Sequence, residues 1–543
     1  MNKSSVRDKG RKTSKQKSQP KGTKDFDPVE SETKIRRPIH HYSINETVST
    51  SDSYNDDSDH ETRALLHRYK YYSRLTPHTN GILQMPDHIV PSNYLITILV
   101  PLNGKQNSVI TIFALWNTMM GTSLLSMPWA IKQAGFACGI CMLIGMAGLM
   151  LYTSYRILKS LDGIEMGEGQ VLEFSDVCRH YFGKWSELVA VVCSLLTLLG
   201  GAIVYWILMS NFLFHVVSFL YYQVHPAPHS TPFGNSSNFS DAVCPHMVKP
   251  DNATSSHSTF SKVWDEQMTV PFFLVLMLLP LLNFKSPTFF TKFNALGTIS
   301  VAYLVSFVSV KASNWGINLD FNTEDINLPS YTSQFDMTFP ALTGIAALAY
   351  FVQNCVLSIC RNQKHPENNV RDLSIAYILV ASTYIFVGVL FYSAFPLTKV
   401  CIQDNLLNNI ATTDVMAFVA RIGLFFQMST VFPLLMYVFR VQFMHTLFGS
   451  VWPSWKHVLL LNLVLIGICI LFAVFLPHIG KIIGFVGAFC GLAYAIALPC
   501  MVYLKSCYLE GTLSWPKIVI HSFLIVIGIA NFIGQFLILG HTT

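Results

Sequence analysis

The sequence predicts an all-α polytopic membrane protein, and three observations carry that prediction. Its 543 residues are 51% hydrophobic and only 13% charged, with positive mean hydropathy, whereas soluble chains carry about 25% charged residues. Beyond residue 108, apolar stretches recur at the length that spans about 30 Å of hydrocarbon. The first and sixth of these stretches are interrupted by small and polar residues. The predicted spans are 109–132, 134–158, 189–221, 269–284, 292–312, 338–360, 372–396, 414–443, 457–476, 481–505 and 517–539. Two halves of five spans, each weakened in its first member, form the pattern of an inverted-repeat transporter, here with an eleventh helix added. Residues 109–312 form the first repeat, 313–505 the second, and 506–543 the eleventh helix and C-terminus.

Ahead of the spans lies a hydrophilic tail. Residues 1–61 read as disordered and cytosolic, basic from Lys3 to Lys24 and acidic around Asp52, Asp56, Asp57, Asp59 and Glu61. Such a segment has too few apolar groups to offset its ordering entropy. A basic arm can bind nucleic acid, but no aromatic-interleaved domain follows it, and a solvated arm near anionic lipid accounts for it. No nucleic-acid partner is expected. No secretory signal is visible, so insertion is expected to use an internal span. Residues 62–108 differ: TRALLHRYKYYSRLTPHTNGILQMPDHIVP is rich in aromatics, leucines and prolines. They read as an extended peptide that docks a cytosolic partner.

Basic residues orient the spans. Arg156, Lys159, Arg179, Lys184, Arg361, Arg371, Arg440 and Lys505 lie in or beside loops on the side of the tail, which is therefore cytosolic. Eleven spans then place the C-terminus in the lumen. The luminal loop 222–268 holds three N-x-S/T sequons, Asn235, Asn238 and Asn252, predicted to be glycosylated. Cys244 in that loop and Cys401 in the luminal loop 397–413 share an oxidising compartment, so a Cys244–Cys401 disulfide is expected.

The first span contains WNTMMGTSLLSMPW, residues 116–129. In hydrocarbon, broken helix is tolerated only where it lines a protein-buried cavity. Asn117, Thr118, Met119, Gly121, Thr122 and Ser123 are the candidates for such a break; a small-residue packing face is the bland alternative. Freed amides of the following half-helix could meet a substrate carboxylate, and freed carbonyls a cation. The sixth span, FPALTGIAALAYFVQNC, supplies Thr343 and Gly344 near its start and Gln353 and Asn354 further along. In the eighth span Ser429 and Thr430 are adjacent hydroxyls that could help Asn117 ligate sodium, or could back-bond to their own helix. Arg421 earlier in that span is either functional or snorkels to the interface. Leu435, Tyr437 and Arg440 satisfy a proposed cholesterol motif. No catalytic constellation, phosphate loop or metal-spaced His/Cys cluster is present, so no enzymatic activity and no organic cofactor are expected.

Together WNTMMGTSLLSMPWAIKQAGF, DVCRHYFG, VPFFLVLMLLPLLNFKSP, ENNVRDL and the tail stretch YYSRLTP…PDHIVP resemble the sodium-coupled neutral amino acid transporter family, and within it a lysosomal, arginine-sensing branch. The resemblance runs from about residue 62 to the C-terminus. It implies the amino acid/polyamine/organocation (LeuT-like) architecture and arginine-regulated, sodium-linked symport of amino acids out of the lysosome. It also implies a tail that docks Ragulator and the Rag GTPases to activate the mTORC1 pathway. On these matches Gly121, Thr122 and Ser123 are tied to arginine, Asn117 to sodium, and Tyr72, Leu75, Pro86 and Pro91 to partner docking. Tyr69 is a further docking candidate whose family counterpart is aliphatic. The tail also fits sorting signals, YSRL at 72–75 and ETRALL at 61–66. A rival reading from another class is an amino-acid receptor or scaffold without transport.

Overall fold

The computed structural model describes residues 107–161, 174–225, 241–245, 260, 263–283, 295–322, 325, 328–361, 363–448 and 454–541. The docking candidates Tyr69, Tyr72, Leu75, Pro86 and Pro91 and the sequons Asn235, Asn238 and Asn252 lie outside the described residues.

Among the described residues the chain is helical, with two isolated β-bridges in place of strands. The first apolar stretch forms α1 (Ser108–Met119) and α2 (Ser123–Ala134), bent by 63° across their junction. Gly135 then turns the chain at φ +83°, where a Cβ would come within 2.6 Å of the 334–335 backbone; only glycine fits. After it come α3 (Phe136–Lys159), the short α4 (Phe174–Phe182), α5 (Lys184–Val224), α6 (Val270–Leu282) and α7 (Ala295–Trp315). The next apolar stretch is again two helices, α8 (Pro340–Ala349) and α9 (Val356–Arg361). Last come α10 (Asn369–Ala394), α11 (Val415–Phe448), α12 (Trp455–Phe475), α13 (Ile479–Cys490), α14 (Leu498–Leu509) and α15 (Trp515–His541). A π-helical turn, Gly491–Ala497, joins α13 to α14, a feature frequent at functional sites.

Among the described residues, seven helices or continuous helix runs are long and apolar enough to cross a membrane, eight if the α1–α2 pair is one span. Apolar helices α6 and α8 are shorter. Burial separates an inner from an outer set. Over 18 apolar residues of α11, 78% are buried, against 22% over the same length of α15. A helix apolar all round and enclosed belongs to the core of the bundle, whereas one with bare apolar faces meets lipid.

The centre is built on close backbone contact. A Cβ at Gly344 of α8 would lie 2.4 Å from the Gly484 carbonyl of α13, and one at Gly487 of α13 would lie 2.2 Å from the Gly344 carbonyl. Small residues let two membrane helices approach this way. The start of α1 is tied to α10 and the loop before it: Arg371 Nη2 of α10 and Gln363 Nε2 of the loop donate to Ser108 Oγ at 3.1 and 3.2 Å. Both donors also meet the fully buried Asp372 carboxylate.

At the other end, the segment from Phe395 to Asp414 folds over the helix ends. It is held to residues 241–245, between α5 and α6, by the Cys244–Cys401 disulfide and the Ala242–Ile410 bridge. Ser126 Oγ of α2 donates to the Asp404 carbonyl at 2.6 Å, and Lys132 Nζ donates to the Val400 carbonyl at 2.7 Å. The expected disulfide is thus present in the structure.

Candidate functional site

Both interruptions leave backbone groups that need partners inside the bundle, and α10 supplies them. The Tyr384 hydroxyl faces the Met119 carbonyl at 2.5 Å and the Ala349 carbonyl at 3.3 Å, the last residues of α1 and α8. One turn pair earlier, the Tyr377 hydroxyl donates to the Tyr350 carbonyl at 3.0 Å and meets Ser154 Oγ at 2.9 Å. Gln353 completes the second break. Its Oε1 accepts from the Val352 amide at 3.0 Å, and its Nε2 reaches Thr153 Oγ1 at 3.2 Å on α3. The unwound peptides are therefore held open by fully buried side chains.

Beside the first break lies an enclosed cavity with about 20 Å³ open to the centre of a water molecule. That is room for about one water. Met119, Gly121, Thr122 and Ser123 form one wall; Thr197, Gly201 and Tyr205 of α5 form another, with Leu348 of α8 and Leu435 of α11 closing it. The opening amides of a helix have no partner within it and carry the positive end of its dipole. Here α2 begins at Ser123, so its N-terminus adjoins the cavity. The wall therefore pairs a helix N-terminus and hydroxyl groups with an apolar remainder.

The other sequence candidates fall in different places. Thr118 sits in α1 with its hydroxyl back-bonded to the Ala114 carbonyl at 2.8 Å. Thr343 and Gly344 lie in intact helix and not in the break, which runs from Tyr350 to Cys355 and holds Gln353 and Asn354. Thr343 Oγ1 reaches Asn531 Oδ1 of α15 at 2.6 Å, and Gly344 packs on α13; neither lines the cavity.

The candidates for sodium are buried. Asn117 Oδ1 accepts from Thr298 Oγ1 of α7 at 3.0 Å. Ser429 and Thr430 donate to the Phe425 and Gln427 carbonyls of their own helix at 2.8 and 2.7 Å. Back-bonding uses their protons and leaves oxygen lone pairs. Gln427 adds an observation that composition did not offer: its Oε1 is buried without a hydrogen-bond partner, while its Nε2 lies 2.8 Å from where a Cβ on Gly297 would be. Neutral carbonyl and hydroxyl oxygens suit a small hard cation, so the residue types fit sodium. Among the described residues no group of three His, Cys, Asp or Glu could hold a metal.

Arg421 neither snorkels nor lines the cavity. It is 1% exposed, and its Nη2 donates to the Leu407 and Ile410 carbonyls at 2.8 and 3.0 Å, bracing the folded-over segment. In the same folded-over segment, burial pushes the Lys399 ammonium down to about 7. Burial also works against the Asp241 carboxylate, yet hydrogen bonds from Lys311 and Trp315 outweigh it and hold Asp241 below the usual range. Leu435, Tyr437 and Arg440 are all buried within the bundle, with the Arg440 guanidinium 5.0 Å from the Tyr437 ring centroid. They offer no face to a membrane sterol.

Sequence reasoning missed Tyr384, Tyr377, Thr298 and Gln427. The tyrosines had a legible signal: they stand seven residues apart in one apolar span, and so on one helix face. Polar groups inside a span face the bundle interior.

The family model described as transmembrane amino acid transporter protein matches residues 104–539. "Neutral amino acid transporter 9" of Rattus norvegicus is 42% identical over 533 residues, covering 93% of this chain and 94% of that protein. Its namesake in Danio rerio is 43% identical, covering 93% and 95%. The "Sodium-coupled neutral amino acid transporter 9 homolog" of Caenorhabditis elegans is 44% identical, covering 89% and 83%. Among solved structures, that of MhsT in complex with L-phenylalanine overlays with a TM-score of 0.46 at 11% identity, covering 79% of this chain and 97% of that one.

Proposed function

Since the chain belongs to the transmembrane amino acid transporter family, we propose that it exports amino acids from the lysosome under the control of arginine and coupled to sodium. The proposal extends to eleven spans arranged as a LeuT-like five-plus-five repeat with one added helix, a cytosolic N-terminus and a luminal C-terminus. The single observation that supports it best is the cavity at the first break, where the start of α2 meets Gly121, Thr122 and Ser123.

In this reading the substrate carboxylate sits on the amides at Thr122 and Ser123, and the side chain points toward α5 and Leu348. Sodium, held by Asn117, Ser429 and Thr430, supplies a fixed positive charge and a downhill gradient. The cavity has space for about one water, so an amino acid is admitted only when the walls separate, as alternating access requires. Tyr384 positions both broken ends and keeps the site from rewinding. The names of the relatives support neutral amino acids and, for the nematode protein, sodium coupling. The tail segment 62–108 is proposed to dock Ragulator and the Rag GTPases, linking site occupancy to mTORC1.

Thr122→Trp tests the site. A bulky indole fills the cavity, so flux of a labelled amino acid in proteoliposomes should fall at least tenfold while the melting midpoint stays near that of the parent. Undiminished, arginine-responsive flux would refute the assignment. Flux by the protein truncated before residue 96 separates transporter from receptor: binding with no flux in either form favours the receptor.

A further inference from the structure

Gln427 of α11 carries a group that the fold leaves incomplete. The residue is 7% exposed, and its Oε1 is buried without a hydrogen-bond partner. Inside a membrane such an oxygen is costly unless something bound there meets it. Packing alone gives no reason for an amide at this position. α7 and α11 pass closely here: a Cβ on Gly423 would lie 3.7 Å from Ser300 Oγ, and one on Gly297 would lie 2.8 Å from Gln427 Nε2. The end of the Gln427 side chain occupies room that glycine leaves. Methionine would fill the same room with no polar oxygen to satisfy.

The orphaned oxygen belongs to the neighbourhood of the sodium candidates. On α7, Gly297 packs on the Gln427 amide, and the next residue, Thr298, donates to Asn117 Oδ1 at 3.0 Å. On α11, Gln427 and Thr430 stand three apart and are neighbours on the helix surface. The Thr430 hydroxyl donates to the Gln427 main-chain carbonyl at 2.7 Å. Asn117 and Thr430 are buried as deeply as Gln427, at 4% and 8% exposure. The hydroxyl protons of the group are thus spent within the protein, Thr298 on Asn117 and Thr430 on its own helix. Oxygen lone pairs on Asn117, Gln427 and Thr430 are what remains.

Neutral amide and hydroxyl oxygens, with no carboxylate among them, suit a hard cation of single charge. We infer that Gln427 Oε1 is a further sodium ligand, joining Asn117 and Thr430. The inference rests on the sodium coupling proposed above and adds to it a ligand that only the α7–α11 contact brings into place. A bound water could also meet the oxygen, but sodium affinity would then be indifferent to Gln427. Loss of the oxygen at constant side-chain volume distinguishes the two.

The test reads binding without flux. Purified full-length protein in detergent is titrated with radiolabelled sodium at constant ionic strength, and bound label is counted by scintillation proximity. The parent should bind saturably. Gln427→Met, which keeps the packing on Gly297 and removes the oxygen, should raise the apparent Kd at least tenfold. Its melting midpoint in sodium-free buffer should equal or exceed that of the parent, because the orphaned acceptor is gone. Gln427→Glu, which keeps an oxygen at the same reach, should bind sodium within threefold of the parent or tighter. An unchanged Kd in Gln427→Met, a Gln427→Met protein that melts below the parent without sodium, or a loss in Gln427→Glu as deep as in Gln427→Met would each overturn the inference while leaving sodium with Asn117, Ser429 and Thr430. A parent with no saturable binding would overturn the sodium reading and this inference together.

Discussion

Replacing Lys311 with methionine takes one charge from between two carboxylates and puts the packing of the disulfide-bearing end to a quantitative test. Lys311 Nζ lies 2.7 Å from Asp241 Oδ2 and 2.5 Å from Asp414 Oδ2, with side-chain exposures of 6%, 27% and 13% in that order. Removing one partner of a buried pair costs about 3–5 kcal/mol, because the other is left charged and alone. Two contacts soften the loss. Asp241 keeps the Trp315 Nε1 hydrogen bond at 3.0 Å, and Asp414 keeps the Ala417 amide at 2.7 Å as the helix cap of α11. The expected cost is therefore at the low end, about 3 kcal/mol. The companion variant is Lys311→Met with Asp241→Asn and Asp414→Asn, which leaves no unpaired ion and keeps a good cap residue. Its stability should return to within about 1 kcal/mol of the parent, since a buried pair is often replaceable at little net cost. Thermal unfolding in detergent at a fixed scan rate should order the midpoints as parent and triple variant together, single variant below. A triple variant as unstable as the single one would show that the lysine stem, and not its charge, holds the loop.

The pH response of Lys399 offers a further check. Its folded pKa of about 7 is depressed by burial, so between pH 7 and the ordinary lysine range the unfolded chain binds more protons and stability rises with pH. Below about pH 7 the burial cost of the charge is fully present. Lys399→Met should thus raise the melting midpoint more at about pH 5 than at about pH 9, and an equal gain at both would refute the account. Tyr384→Phe should cost about 1–3 kcal/mol, the penalty for buried groups left unpaired, at Met119 and Ala349. Amino-acid flux should fall together with stability; unchanged flux would show that the two breaks need no common brace.

The membrane class, the helical architecture and the position of the first break were legible from composition and from one stretch of residues. Hydrocarbon tolerates so few polar groups that a Gly-Thr-Ser run in an apolar segment is itself evidence of an inward-facing gap. The cysteine pair was legible because both residues fall in loops assigned to one compartment. The second break was only half legible: Gln353 and Asn354 lie in it, while Thr343 and Gly344, equally small and polar, serve helix packing. Local sequence does not distinguish these uses, since a small residue permits close approach of either a ligand or another helix. Only tertiary packing chooses between them.

Position along the chain therefore determined which segments are apolar and helical and where one of them fails to stay wound. Contacts between distant segments decided everything that depends on who stands opposite. Tyr384 braces Met119 across 265 residues, Thr298 holds Asn117 across 181, and Lys311 gathers Asp414 from 103 away. Buried in a medium that offers no water, each of these polar groups is stable only against the partner that the fold brings to it, and that partner is not written in its neighbours.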